Sequence, residues 1–122
     1  MYKVASFREL LVWQRGMDLV VSVYQASGRF PKVETFGLTA QVRRSVISVP
    51  SNIAEGHTRE STKEFLNHPS MAQASLAEVQ TQVEIAGRLE YLNPDEVTDL
   101  IGQATVLAKQ LFALRNALVK KQ

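Results

Sequence analysis

Apolar residues recur at intervals of three and four along most of the chain, and no apolar–polar alternation lasts long enough to make a strand. Four helical segments are predicted. The first spans about Phe7 to Ser27. Ser6 with Glu9 three positions later forms a capping box, and Gly28 stands where a left-handed residue closes a helix. Leu10, Trp13, Met17, Val20, Val21 and Tyr24 share one face, which predicts a core-facing stripe. Val12, Leu19, Val23 and Ala26 form a second stripe, nearly opposite Met17 at about 100° per residue. A monomeric bundle would carry polar groups there, so this stripe predicts a subunit contact with Arg8 and Arg15 at its rim.

Phe30-Pro31 through Gly37 reads as a connector with one short turn. The second helix begins at Thr39, with Leu38, Val42, Val46, Val49 and Ile53 toward the core and Gly56 at its end. Pro50 lies inside it; a proline removes one backbone donor and crowds the carbonyl four residues earlier, which predicts a kink. Ser61-Thr62-Lys63-Glu64 is a capping box opening the third helix, whose core face is Phe65, Ala72, Leu76, Val79, Val83 and Ala86. Pro69 predicts kinked or broken first turns, with regular helix from Ser70 to about Glu90. Asn93-Pro94-Asp95-Glu96 supplies an N-cap, a proline at the first helical position and a glutamate at the third. The fourth helix then turns Leu100, Ala104, Leu107, Leu111, Leu114 and Leu118 inward, flanked by Ile101, Ala108, Phe112 and Val119. Short connections between long helices favour antiparallel neighbours. The expected fold is all-α: an up-down-up-down four-helix bundle in a single domain over residues 1–122, kinked at Pro50 and near Pro69.

Composition changes this picture little. With 45% hydrophobic and 21% charged residues the chain is an ordinary globular sequence, and at 122 residues one core is feasible. Charges interrupt the first nine residues before any secretory apolar run, and no apolar segment approaches the roughly 20 residues that span a bilayer. Cysteine is absent, which removes disulfides, thiolate nucleophiles and thiolate metal ligands. The expectation is a cytoplasmic protein with no membrane partner.

Charge is uneven although the net value is only +2: residues 1–44 hold seven Lys/Arg against three acids, residues 45–108 three against nine, and residues 109–122 four against none. Complementing the negative end of the last helix is one use for Lys109, Arg115, Lys120 and Lys121. Contact with an anion such as RNA or DNA is another, with Arg43, Arg44 and Arg59 added to the set.

Catalytic and metal readings find little support. His57 with Glu55 and Glu60 suggests an acid–base set, and Ser51 or Ser61 a nucleophile, but the kink, the cap and an exposed loop account for these residues better. Neither histidine has a glutamate three positions before it, as di-iron bundles require, and Glu64 with His68 is one weak pair beside a proline. The glycines are too widely spaced for a phosphate loop. No enzyme activity, cofactor or metal is expected.

Several strings together carry a family resemblance. They are Leu11-Val12-Trp13-Gln14, Val23-Tyr24, Phe30-Pro31, Leu38-Thr39-x-Gln41-x-Arg43-Arg44, Asn52-Ile53-Ala54-Glu55-Gly56, Lys63-Glu64-Phe65 and Ala74-Ser75-Leu76-x-Glu78. The chain resembles the four-helix-bundle proteins encoded in 23S rRNA intervening sequences, a family similar to the accessory variability proteins of diversity-generating retroelements. The segment Asn52, Glu55, Gly56 is its most specific mark. The resemblance implies a small bacterial bundle assembling as a homopentamer, whose retroelement relatives bind nucleic acid and a reverse transcriptase. The chain departs from the family between Asn67 and Ser75, where members continue an uninterrupted helix. The expected function is a non-enzymatic homo-oligomeric scaffold or adaptor, with RNA or DNA association through the basic residues. The alternative is a structural or protein-binding oligomer with no nucleic-acid role.

Overall fold

Apolar periodicity of the helical kind produces helices α1 (Leu11–Ser27), α2 (Leu38–His57), α3 (Thr62–Arg88) and α4 (Pro94–Val119), with single 3₁₀ turns at Phe7–Glu9 and Lys32–Glu34. The computed structural model describes residues 6–58 and 62–120, without the side chains of 62–66, and among the described residues there is no strand. Each helix packs on the next, and α4 returns to α1 to close the bundle. Late α1 meets early α4 through Ser22 and Gln103 (3.2 Å), as antiparallel neighbours must. At the end where α1 leads into α2 and α3 into α4, the Tyr91 hydroxyl donates to Glu34 Oε2 (3.0 Å). This is the all-α antiparallel four-helix architecture that the sequence predicts.

Helix boundaries follow local chemistry. The Asn93 side chain accepts from the Glu96 amide (2.8 Å) while Glu96 reaches back to the Asn93 amide (3.0 Å), which satisfies two otherwise orphaned donors at the start of α4. The Ser6–Glu9 box also forms, but it caps the 3₁₀ turn, and α1 proper begins at Leu11. Helix α2 starts at Leu38, where Glu34 Oε1 accepts the Leu38 amide (3.0 Å); it runs through a buried Gly56 to His57 instead of ending at the glycine. Helix α3 is continuous through a buried Pro69, so of the kinked or broken first turns expected there, the break is absent. The Ser61 cap and the Phe65 side chain lie outside the described residues.

Two turns differ from expectation. Gly28 is right-handed (φ −62°), and its amide bonds back to the α1 carbonyls. The left-handed residue is Glu90 (φ 64°), just beyond α3. There the Tyr91 amide reaches the Ala86 carbonyl (2.9 Å) and Leu92 turns into the core at 3% exposure, so docking of Leu92 imposes a conformation that glycine would adopt more cheaply.

The core gathers Leu19, Val23, Val46, Val49, Ile53, Leu76, Val79, Val83, Leu100, Leu107 and Leu111. Each such side chain contributes roughly 1.5–3 kcal/mol on burial. The principal correction concerns α1, whose two apolar stripes are exchanged. Val12 (7% exposed), Leu19 (0%), Val23 (2%) and Ala26 (8%), expected at a subunit contact, are core residues. Met17, Val21 and Tyr24, expected inside, are exposed, while Leu10, Trp13 and Val20 are half-buried. The reason lies at Gly16, on the small stripe. A Cβ there would stand 3.3 Å from Pro50 Cβ, so α1 and α2 approach closely at that point, where a larger residue would not fit.

The Glu34 carboxylate, as hydrogen-bond acceptor and negative charge, raises the Tyr91 pKa above the ordinary tyrosine value. A raised value means that the tie is fully present below about pH 10 and is lost as pH climbs through the folded-state pKa.

Candidate interaction surfaces

The exchange of faces leaves an apolar ribbon on the outside of the α1–α2 pair. It contains a groove of about 330 Å³ lined by Trp13, Met17 and Val20 from α1 and by Ile47, Pro50, Ser51 and Ala54 from α2. The one hydroxyl among them, Ser51 Oγ, donates to the Ile47 carbonyl of its own helix (2.8 Å). Phe7 packs edge-on against Trp13 at one end of the ribbon (5.4 Å between centroids). Tyr24 and Arg43 close the other end, with the guanidinium 4.4 Å over the ring.

Arg43 therefore has structural work. Its Nε donates to Ser27 Oγ (2.9 Å) and its Nη2 to the Tyr24 carbonyl (3.3 Å), placing a cation on the negative C-terminal end of α1. A guanidinium so engaged is a poor candidate for phosphate contact.

Arg44 is exposed beside a shallow polar depression between α2 and α3 that also involves Gln41, Ser45, Ser48, Glu78 and Gln82. Lys109 and Arg115 are exposed on the second half of α4, and Lys120 just beyond its end. Arg44 lies near the start of α2 and these three toward the end of α4, which places them at opposite ends of an antiparallel bundle. Among the described residues, Arg44 thus does not merge with the basic residues of α4 into one patch. Arg59 and Lys121 lie outside the described residues. Phe112 (54% exposed) and Val119 (47%) stand among the α4 cations, an apolar element that charge counting alone does not reveal.

The Asn52–Gly56 segment ties α2 to α3. Asn52 Nδ2 donates to the Ser48 carbonyl (2.8 Å), its Oδ1 faces His68 Nδ1 (3.4 Å), and the Ser48 hydroxyl bonds that of Ser75. Ser45, Ser75 and Gly56 are buried. Glu55 is exposed on the outer side of α2. His68 is thereby occupied with Asn52, and Ser51 with its own helix. Among the described residues no cluster of three or more His, Asp or Glu side chains is placed to hold a metal ion.

One polar groove had no counterpart in the sequence reading. It lies between α1 and α4, has a volume of about 530 Å³, and is lined by Arg15, Asp18, Thr98, Asp99, Gly102, Gln103 and Val106. Gln103 bridges its wall, donating to Asp99 (3.0 Å) and to Ser22 (3.2 Å). The signal was spread over two distant helices and became a site only on folding.

Among curated proteins none matches the chain. Among solved structures, a protein of unknown function from the S23 ribosomal protein family of Bacteroides thetaiotaomicron superposes with a TM-score of 0.78. It is 21% identical, and the match covers 86% of this chain and 98% of that one, which establishes a common fold. The family model of 23S rRNA-intervening sequence proteins matches residues 8–113, taking in all of α1 to α3, the Asn52–Gly56 segment and most of α4. The chain belongs to the family of 23S rRNA-intervening sequence proteins.

Proposed function

We propose that the protein is a non-enzymatic scaffold or adaptor that works as a homo-oligomer, pentameric by the resemblance described above. The observation that carries this reading is the solvent-facing apolar ribbon of α1 and α2, where Met17, Val21, Tyr24 and Ile47 are each more than a third exposed around an apolar groove. Contiguous apolar surface of this kind marks an interaction site more often than isolated exposed residues do. Light scattering tests it: a species well above the 13.6 kDa chain mass is expected, and a monomer at that mass at micromolar concentration refutes it.

A second reading, association with RNA or DNA, is supported by Phe112 and Val119 set among Lys109, Arg115 and Lys120. An exposed aromatic between cations suits a single strand, whose bases stack while its phosphates pair with the cations. Oligomerisation would repeat the group and multiply its electrostatic attraction. Binding to single-stranded RNA is then expected to weaken steeply with salt and to fall at least tenfold in Lys109→Ala/Arg115→Ala/Lys120→Ala. Equal affinity of that variant at low salt refutes the second reading and leaves the first intact.

A further inference from the structure

We propose that Phe36 of one copy seats in the apolar groove between α1 and α2 of a second copy; the inference rests on the oligomeric reading above and supplies its contact. Phe36 is 95% exposed and Val33 84%, the two most exposed large apolar side chains among the described residues. Their connector is nonetheless held firmly. The Glu34 amide bonds the Pro31 carbonyl (2.9 Å), Thr35 bonds Lys32 (3.0 Å), and Gly37 bonds Glu34 (3.0 Å). The Glu34 carboxylate is itself fixed by the Leu38 amide and the Tyr91 hydroxyl. Gly37 is required for this, since a Cβ there would stand 2.7 Å from Glu34 Oε1. An aromatic ring on a backbone already ordered loses little further freedom on docking, which is what an interface anchor needs.

The groove of Trp13, Met17, Val20, Ile47, Pro50, Ser51 and Ala54, at about 330 Å³, has the volume and the apolar lining to receive such a ring. Phe36 cannot fill the groove of its own chain. Pro50 lies more than three turns into α2, which at ~1.5 Å per residue puts the groove about 18 Å along the axis from the connector. Projection and groove can meet only between copies.

Area sets the extent of the contact. A buried aromatic accounts for about 150–250 Å², far short of the roughly 1,200 Å² that a stable interface buries. The remainder must come from the surfaces beside it: Val33 next to the ring, and Val21 and Tyr24 along the ribbon. Because projection and groove are unlike surfaces, one contact leaves each partner with an unused half, so further copies can add.

The chain has no cysteine, so introduced thiols report without background. Val33→Cys, which retains Phe36, is mixed under mild oxidation with a size-tagged Ser51→Cys chain. The mixed 33–51 disulfide is expected to form at least tenfold faster than either like pair, and adding Phe36→Ala to the first chain should abolish that preference. Phe36→Ala alone is expected to lower the mass in solution while the helical circular dichroism stays unchanged. An oligomeric wild type with no 33–51 preference, and with its mass unaltered by Phe36→Ala, overturns this contact and leaves the scaffold reading standing. A monomeric wild type overturns both.

Discussion

Helix α1 has two apolar stripes, and the molecule treats them oppositely. Val12, Gly16, Leu19, Val23 and Ala26 are buried; Trp13, Met17, Val20 and Tyr24, which carry more apolar surface, lie at the edge or outside. Apolar area alone would rank them the other way. The deciding quantity is the distance at which two helices can approach. Gly16 opposite Pro50 brings α1 and α2 into close contact at that point, and a large side chain on that face there would hold the helices apart. The larger residues then form a border that remains available to another surface.

The largest effect expected on this contrast is from Leu19→Glu. A charge at a fully buried position has no partner, so the helical circular dichroism should collapse at neutral pH; a folded variant would return Leu19 to the outside. Gly16→Val comes next. Overpacking against Pro50 should cost about 1–3 kcal/mol in a urea melt, and Pro50→Ala should recover part of it, a coupling that a double-mutant cycle measures. Arg43→Ala should lower stability by about 1 kcal/mol through the lost hydrogen bonds at the end of α1. A stability unchanged within error would restore Arg43 to the list of free cations. Met17→Gln should have the smallest effect on the isolated fold, within about 0.5 kcal/mol, and be visible chiefly as a lower mass by light scattering.

What could be read from the sequence was chemistry that closes within one turn. Asn93, Pro94 and Glu96 define the start of α4 whatever surrounds them, and the core face of α2 from Leu38 to Ile53 is the longest apolar stripe of that helix. Helix α1 offered two stripes of equal periodicity, and the fit that chose between them involves a residue on another helix. The same holds for turns: glycine at position 28 suggested a left-handed residue, but the Ala86–Leu92 docking placed it at Glu90. For the candidate surfaces, residue type was legible and grouping was not. Arg43 and Arg44 are adjacent in sequence, yet one is bound to the end of α1 and the other faces solvent, because successive residues on a helix point about 100° apart. Continuity through Pro69 is likewise tertiary: a buried proline packed in the bundle keeps its helix where an isolated peptide would break.

The hydrogen bond between Tyr91 and Glu34 joins residues 57 positions apart, one in the α3–α4 connector and one in the α1–α2 connector. It can form only once the α1–α2 and α3–α4 hairpins have docked, so it belongs to the last stage of folding. Its removal by Tyr91→Phe should therefore leave the refolding rate nearly unchanged and appear in the rate of opening. The tie acts as a latch on the native state, lengthening its lifetime without hastening its arrival.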